Sequence, residues 1–376
     1  MPRPTPRQRR IATIGAVIVS VIAVVALLGR SVAPPAPGAT ASSPTASPLI
    51  ASSVFPVASA SPATSESPQA SPLLVAADLD GVLVDGPLAH RLPIAVSIDD
   101  AGAARPQSGF NAAAIVYQAP VDGYETRYLM VFQERDATTI GPVRSGRLYL
   151  AQWASEYGSI FGHYGGDRIT RAWMTANSRS LFHDVDGITS GNPAYHRVGF
   201  RQAPHNAYTS STELRRVGSQ LGAPAAFDAT LHLRPFRDDT LLAGRPASET
   251  MTIPYNTVTV GYTYDPATNA YARSLDGHAQ VDPLDGNQVS ARTIIVLSMP
   301  FRTDTTIEPG HNRPVLGFIG SGAARIFMEG RAIAGRWTKL SPSAPTLIRG
   351  ADGAELALVR GRIFVQIVPL GTKVTT

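Results

Sequence analysis

The sequence predicts an α+β domain followed by a β-rich domain, both carried on an N-terminal transmembrane helix and a disordered stalk. Three observations support this architecture. Residues 11–29 are apolar and uncharged, residues 31–75 consist mainly of Ala, Ser, Pro, Thr and Val, and short apolar runs separated by turn signals follow from about residue 76. We therefore expect a cytoplasmic tip and membrane anchor over 1–30, the stalk over 31–75, and domains over 76–245 and 246–376.

The run "IATIGAVIVSVIAVVALLG" at residues 11–29 is long enough for a helix to cross a hydrocarbon core of about 30 Å. Four arginines precede it, and positive charge beside a first span tends to remain in the cytoplasm. Cleavage as a signal peptide is the alternative: no clean A-x-A site with a short apolar core stands out, although "SVAPPAPGATA" at residues 31–41 could be cut. We favour an uncleaved anchor, which makes this a single-pass protein of the cell membrane with its bulk extracytoplasmic.

The stalk sequence, including "PPAPGATASSPTASP", has too few large apolar residues to offset the entropy lost on ordering. Its frequent prolines favour an extended and semi-rigid spacer. We therefore expect it to hold the domains away from the bilayer.

Composition excludes several classes of function. Residues 1–75 hold five of the 33 basic residues and one of the 28 acidic residues, so the remainder carries 28 basic against 27 acidic residues. Residues 76–376 are therefore nearly neutral and lack the excess of positive charge that is typical of a nucleic-acid-binding protein. The absence of cysteine excludes disulfides, thiolate metal sites and a cysteine nucleophile.

The first domain mixes strands and helices. Apolar and β-branched runs predict strands at residues 93–99, 113–121, 126–134 and 158–165, whereas helical spacing predicts helices at 145–158 and 210–222. After about residue 246, short runs such as "ARTIIVLSMPF" and "GRIFVQIVPL" alternate with turn signals. This second pattern is typical of a β-rich domain.

Several blocks occur in an order that resembles the YerB-like family of bacterial envelope proteins. They include "LDGVLVDGPLAHRLPIAVSIDDAG", "IGPVRSGRLYLAQWASEYGSIFGHYGG", "RQAPHNAYTS" and "GSGAARIFMEGRAIAGRWTK", and the match covers nearly all of residues 79–370. The resemblance implies an extracytoplasmic, membrane-tethered protein with an α+β N-terminal domain and a β-rich C-terminal domain. It implies no reaction, and this chain lacks the cysteine that lipoprotein members would use.

The stretch "TIGPVRSGRLYLAQW" predicts an anion site. A strand followed by a helix that begins at Ser145 would let this serine cap the helix while Arg144 and Arg147 lie on its first turn. Arg105 and Arg127 lie in family blocks, and His163 follows in the next predicted strand. We expect these six residues to bind an anionic ligand such as a cell-wall polymer or a polyprenyl phosphate. The alternative is that each arginine pairs with a nearby carboxylate and only joins loops.

Histidines at positions 163, 183, 196 and 205, together with Asp167, Asp184 and Asp186, raise the question of a metal site. No H-E-x-x-H or comparably close spacing is present. The sequence therefore assigns no metal ligand, no catalytic residue and no cofactor, and His205 is expected to fix a loop.

Two enzymatic alternatives remain. "DLDG" matches the first motif of haloacid dehalogenase-like phosphatases, in which Asp78 would attack phosphorus and Asp80 would assist proton transfer. By analogy with LytR-CpsA-Psr-like phosphotransferases, the arginines with Asp99 and Asp167 would hold Mg²⁺ and a phosphate ester. We favour a binding protein for an anionic envelope component, or for a wall-synthesis partner protein, over either enzyme.

Overall fold

The computed structural model describes residues 73–228, 231 and 234–376. The predicted membrane span at 11–29 and the stalk up to residue 72 lie outside these residues. The last three residues assigned to the stalk are ordered, and two of them belong to the first strand. Within the described ranges, no helix is long and apolar enough to cross a membrane.

The elements before residue 246 alternate between strands and helices. The strands are β1 (Leu74–Ala76), β2 (Leu83–Asp85), β3 (Ile94–Asp99), β4 (Ile115–Pro120), β5 (Thr126–Phe132), β6 (Ile160–His163), β7 (His183–Asp186), β8 (His196–Arg197), β9 (Ala207–Tyr208) and β10 (Phe236–Arg237). The helices are α1 (Gly86–Ala89), α2 (Leu148–Ser155), α3 (Arg168–Asn177) and α4 (Ser211–Gln220), with short 3₁₀ helices at Gly102–Ala104, Phe110–Ala112, Asp122–Tyr124, Asn192–Ala194 and Leu242–Gly244.

The elements after residue 246 are all strands. They are β11 (Thr250–Pro254), β12 (Thr259–Asp265), β13 (Ala270–Leu275), β14 (His278–Ala279), β15 (Ser290–Ala291), β16 (Thr293–Met299), β17 (Phe301–Asp304), β18 (Arg313–Leu316), β19 (Gly320–Met328), β20 (Arg331–Lys339), β21 (Leu347–Arg349), β22 (Leu358–Val359) and β23 (Ile363–Pro369). The predicted strand-rich, two-part architecture with few helices is confirmed.

The predicted strands at 93–99, 113–121, 126–134 and 158–165 correspond to β3, β4, β5 and β6, and the two predicted helices correspond to α2 and α4. Helix α3 was not predicted. Its N-terminus is capped by Asp167, whose carboxylate accepts hydrogen bonds from the Thr170 backbone N–H at 2.9 Å and the Thr170 hydroxyl at 2.5 Å. Such a cap satisfies one of the free N–H groups at a helix start.

Strands from both halves of the chain form one ten-stranded sheet. Its order is β21-β20-β19-β16-β23-β4-β5-β3-β6-β7, and β23 pairs in parallel with β4 so that Ile363 lies beside Ile115. A separate sheet is built from β11 to β15. The predicted boundary at residue 246 therefore falls between β10 and β11, but the main sheet continues across it.

Both faces of this sheet are covered, as the alternating side chains of β5 show. Leu129 and Val131 belong to a core that includes α2 and part of α3. Tyr128 and Met130 belong to a second core that includes α4 and the β11–β15 sheet. Two-sided burial explains why the central strands are almost uniformly apolar.

A buried arginine links the part of the chain after residue 246 to the part before it. Arg273 on β13 is fully buried, and its Nη2 donates to the side-chain oxygen of Gln118 on β4 at 2.6 Å. Its Nε donates to the hydroxyl of Tyr262 at 3.1 Å, and its Nη1 also donates to the Gln280 side chain. The guanidinium lies 5.4 Å from the ring centroid of Tyr128. Its positive charge is therefore held by neutral oxygens and an aromatic face.

Replacing Arg273 by Ala should lower the free energy of unfolding by at least about 2 kcal/mol, because the buried oxygens of Gln118 and Gln280 would lose their donors. Urea denaturation measures this change. Arg336→Ala is the control, since Arg336 is exposed and a surface substitution of this kind stays within about 0.5 kcal/mol. Equal stabilities for the two variants would contradict a structural role for Arg273.

Candidate functional site

An open cleft of about 590 Å³ lies between the start of α3 and the segment that joins β17 to β18. We call it the arginine cleft. Its charged and hydroxyl-bearing lining residues are Ser145, Arg147, Asp167, Arg168, Arg171, Thr175, Glu308 and Arg313. It therefore combines residues from both halves of the chain.

Two arginines of the cleft are held by one carboxylate. Arg147 Nε lies 2.7 Å from Oδ2 of Asp122, and Arg313 Nη1 lies 2.8 Å from Oδ1 of the same residue. Burial alone raises the pKa of Asp122, but the charges and hydrogen bonds of the two arginines outweigh burial and lower this pKa below its ordinary value. Arg313 also pairs with Glu308, with its Nε at 2.9 Å from Oε2. These two guanidinium groups are thus fixed in place.

The other two arginines of the cleft project from the first turns of α3. Arg168 and Arg171 are exposed, and within the described part of the chain neither forms an ion pair or a side-chain hydrogen bond. The acidic lining residues form no ion pair with them, because Asp167 caps α3 and Glu308 pairs with Arg313. The cleft therefore carries unpaired positive charge toward solvent.

A narrow apolar cavity of about 70 Å³ adjoins the arginine cleft. We call it the apolar slot. It shares Arg147, Asp167 and Arg313 with the cleft, and its carbon surface comes mainly from Tyr149, Ile169, Ile307, Val315, Leu316 and Phe318. The hydroxyl of Tyr149 donates to the Pro120 carbonyl at 2.6 Å, so this polar atom is already used.

Two of the six predicted ligand-binding residues, Ser145 and Arg147, line the arginine cleft. The predicted role of Ser145 as a helix cap was wrong. Helix α2 begins at Leu148, Arg147 occupies the capping position, and no side chain caps this helix. The carbonyl of Ser145 instead accepts hydrogen bonds from the Ser97 hydroxyl at 3.1 Å and from Arg127 Nη1 at 2.6 Å.

The remaining predicted arginines do not line the cleft. Arg127 is buried, and burial together with the charges of Arg147 and Arg144 lowers its pKa to about 9. Arg144 Nε lies 3.3 Å from Oδ2 of Asp99. Arg127, Arg144 and Arg147 therefore lie close to Ser145. Arg127 is bonded to the Ser145 carbonyl and Arg144 is paired with Asp99, and neither lines the cleft.

Arg105 lies apart from this group. Its Nε donates to Oδ1 of Asp100 at 3.0 Å, and the other oxygen of Asp100 accepts a hydrogen bond from Gln118 at 3.1 Å. This pair belongs to the polar network around Arg273. Carboxylate pairing, the alternative that the sequence left open, therefore describes the geometry of Arg105 and Arg144, and also of Arg147 through Asp122.

His163 is fully buried, with both ring nitrogens hydrogen bonded. Nδ1 lies 2.8 Å from the Gly165 carbonyl and Nε2 lies 2.7 Å from Oδ1 of Asp184. Both partners only accept, so a ring that keeps both hydrogen bonds must carry a proton on each nitrogen. Burial alone lowers the pKa of His163, but the hydrogen bond and charge of Asp184, with the charge of Asp186, raise it above its ordinary value. A direct ligand contact would require the ring to leave these bonds.

The histidines do not form a metal site in the described ranges, where no group of three or more His, Asp and Glu side chains is arranged to hold a metal ion. His205 Nδ1 lies 2.7 Å from Oδ2 of Asp99. This contact has the loop-fixing geometry expected for His205.

The phosphatase alternative finds no support in the geometry of Asp78 and Asp80. Both lie in the turn of a two-stranded antiparallel hairpin formed by β1 and β2, whereas that chemistry requires a strand leading into a loop and a helix. Asp78 accepts a hydrogen bond from Gln133 at 3.0 Å, and Asp80 accepts one from Arg135 at 2.9 Å. The two carboxylates therefore hold the hairpin against the segment that follows β5.

Two family models match the chain. The N-terminal domain of "Protein of unknown function (DUF3048)" matches residues 79–223, and the C-terminal domain of the same family matches residues 251–365. The chain belongs to the DUF3048 family. Both sides of the arginine cleft lie within these matches, because Asp122, Arg147 and Arg168 are in the first and Arg313 is in the second.

Relatives of this DUF3048 protein include a Bacillus subtilis (strain 168) protein described as "Putative lipoprotein YerB". It is 28% identical over 306 residues, which cover 78% of this chain and 86% of the relative. The crystal structure of the YerB protein from Bacillus subtilis superposes with a TM-score of 0.70 at 25% identity, covering 80% of this chain and all of that one. The predicted resemblance to the YerB-like family is confirmed.

Sequence reasoning missed Arg168, Arg171, Glu308 and Arg313. The first two were detectable, because Asp167 is a good helix cap and Ile169, Trp173 and Met174 follow at helical spacing. Arg313 gave no local signal. Its partner Asp122 lies 191 residues away, and only the tertiary structure brings them together.

The stability contributed by protonated His163 should be fully present below about pH 6.5 and should be lost as the pH rises through its raised pKa. His163→Gln should remove this loss of stability, because the glutamine side chain does not titrate. Urea unfolding between pH 5.5 and 9 measures it. Exposed His278→Gln is the control and should keep the wild-type slope; an unchanged slope in His163→Gln would refute the assignment.

Burial and the neighbouring Glu134 raise the pKa of Asp80 to about 6. Stability linked to this group should therefore be present below about pH 4 and decline toward pH 6, by on the order of 2 kcal/mol. Asp80→Asn should flatten this part of the unfolding profile. Parallel curves for the variant and the wild type would show that Asp80 titrates normally.

Proposed function

We propose that this protein binds an anionic component of the cell envelope in the arginine cleft and acts as a binding protein. The observation that carries the proposal is the pair Arg168 and Arg171, exposed and without side-chain partners among the described residues. They face a cleft whose other two arginines are already fixed by Asp122. Fixed and free guanidinium groups thus surround one solvent-accessible space.

The chemistry of the lining favours phosphate or a similar oxyanion. Guanidinium groups present planar forks that donate two parallel hydrogen bonds to phosphate or carboxylate oxygens. Because Arg147 and Arg313 are held by Asp122 and Glu308, they require little further ordering when a ligand arrives. The free pair can close onto the anion from α3.

The location of the ligand follows from the anchor. A predicted span at residues 11–29 and a relative described as a lipoprotein both support a membrane-tethered position outside the cytoplasm. Anionic wall polymers and polyprenyl phosphates are the candidate ligands there, and a wall-synthesis protein with an acidic surface is the corresponding protein partner.

Binding is favoured over Mg²⁺-dependent phosphotransfer by the engagement of the proposed metal ligands. Asp99 accepts bonds from His205 and from the Ala101 N–H, and it pairs with Arg144. Asp167 is used by Thr170 as the cap of α3. Both carboxylates would have to give up these structural contacts to hold an ion.

Replacing both Arg168 and Arg171 by Gln should weaken the binding of inorganic pyrophosphate by about ten-fold for each arginine, since a charge-assisted hydrogen bond contributes about 1.5–3 kcal/mol. Isothermal titration calorimetry on the full chain in nanodiscs made of phosphatidylcholine measures this. The wild-type affinity should also fall as salt is raised.

Arg336→Gln is the matched control, because it removes an exposed arginine that lies outside the cleft. It should bind pyrophosphate as the wild type does. If the double variant and this control bind equally well, the arginine cleft is not the anion site.

A further inference from the structure

The arginine cleft and the apolar slot meet at the same residues. Arg147, Asp167 and Arg313 line both cavities. A ligand whose anionic group lies among the arginines therefore has a carbon-lined cavity directly beside it. Neither feature alone would specify more than an anion or a small apolar group.

The walls of the slot are mainly apolar, and their polar members are Thr170 and the three charged residues shared with the cleft. Leu316 and Phe318 are 6% and 7% exposed, and Ile169 is 37% exposed. The polar atom of Tyr149 is bonded to Pro120, so its remaining contribution is carbon. Carbon-lined space accepts hydrocarbon, as an engineered cavity of about 150 Å³ that binds benzene illustrates.

The charged groups at the junction restrict what can lie there. Arg147 and Arg313 present positive charge, whereas Asp167 is used by the cap of α3 and Glu308 is used by Arg313. A cationic or neutral head group would leave the free charge of Arg168 and Arg171 unmatched. An anionic head with a carbon chain matches both cavities.

We propose that the ligand is an anionic amphiphile, with a phosphate-type head group in the arginine cleft and the first carbons of its chain in the apolar slot. This inference rests on the proposed function and adds the ligand class to it. The slot volume of about 70 Å³ limits its contents. In proportion to the benzene cavity, it accommodates about three carbons, and the rest of a longer chain must lie outside the slot.

The test is a series of water-soluble alkyl phosphates from methyl to pentyl, titrated calorimetrically against the full chain in phosphatidylcholine nanodiscs, with empty nanodiscs as the blank. Affinity should rise about four-fold for each added methylene up to about three carbons and then level off. Arg168→Gln with Arg171→Gln should weaken every member of the series.

Ile169→Ser should weaken the dependence on chain length, because Ile169 contributes only carbon surface to the slot. Because Ile169 is partly exposed, we expect this variant to remain folded, and thermal denaturation checks its folding. Leu340→Ser, which removes an exposed apolar side chain outside both cavities, is the control and should keep the wild-type series.

The outcomes separate the two proposals. If methyl phosphate and pyrophosphate bind with the same arginine dependence but affinity does not change with chain length, the amphiphile is wrong and the anion-binding function stands. If the series rises equally in Ile169→Ser, the slot is not the chain site and the inference also fails. If no phosphate binds in an arginine-dependent way, the proposed function itself is overturned.

Discussion

The parallel pairing of β23 with β4 is the constraint on which the rest of the structure depends. It places the last strand of the chain beside a strand more than two hundred residues earlier and completes one ten-stranded sheet. Because helices and a second sheet cover its two faces, the halves share their cores. Neither half can move independently without breaking this pairing.

Because the two halves share their cores, polar side chains from one half are buried against polar side chains from the other. Arg273 from the second half donates to Gln118 from the first, and Lys339 from the second half pairs with Glu156, which lies directly after α2 in the first. Removing one partner of such a buried set costs far more than breaking an exposed ion pair. The two halves of this chain are therefore joined by specific polar contacts as well as by apolar packing.

The arginine cleft is a consequence of the same arrangement. Asp122 follows β4, Arg147 precedes α2, and Arg313 begins β18 in the other half. One carboxylate fixes two guanidinium groups, and the unpaired Arg168 and Arg171 then face a preformed space. All four residues have the same side chain, so their pairing distinguishes them. Arg147 and Arg313 are held by Asp122, whereas Arg168 and Arg171 remain available for a ligand.

The sequence by itself determined the types of the main elements, because two-sided burial makes β3, β4 and β5 nearly continuous apolar runs and helical spacing marks α2 and α4. Of the six residues that the sequence predicts to bind a ligand, Ser145 and Arg147 line the arginine cleft, and their ligand-binding role stays a prediction. Only the tertiary structure decided which arginines are free, because the carboxylates that pair with Arg105 and Arg144 and the distant Arg313 are brought into place by the fold. Hydrophobic periodicity predicts which face of a helix or strand is buried. Charge pairing depends on distances between separate elements, and a local sequence pattern does not contain these distances.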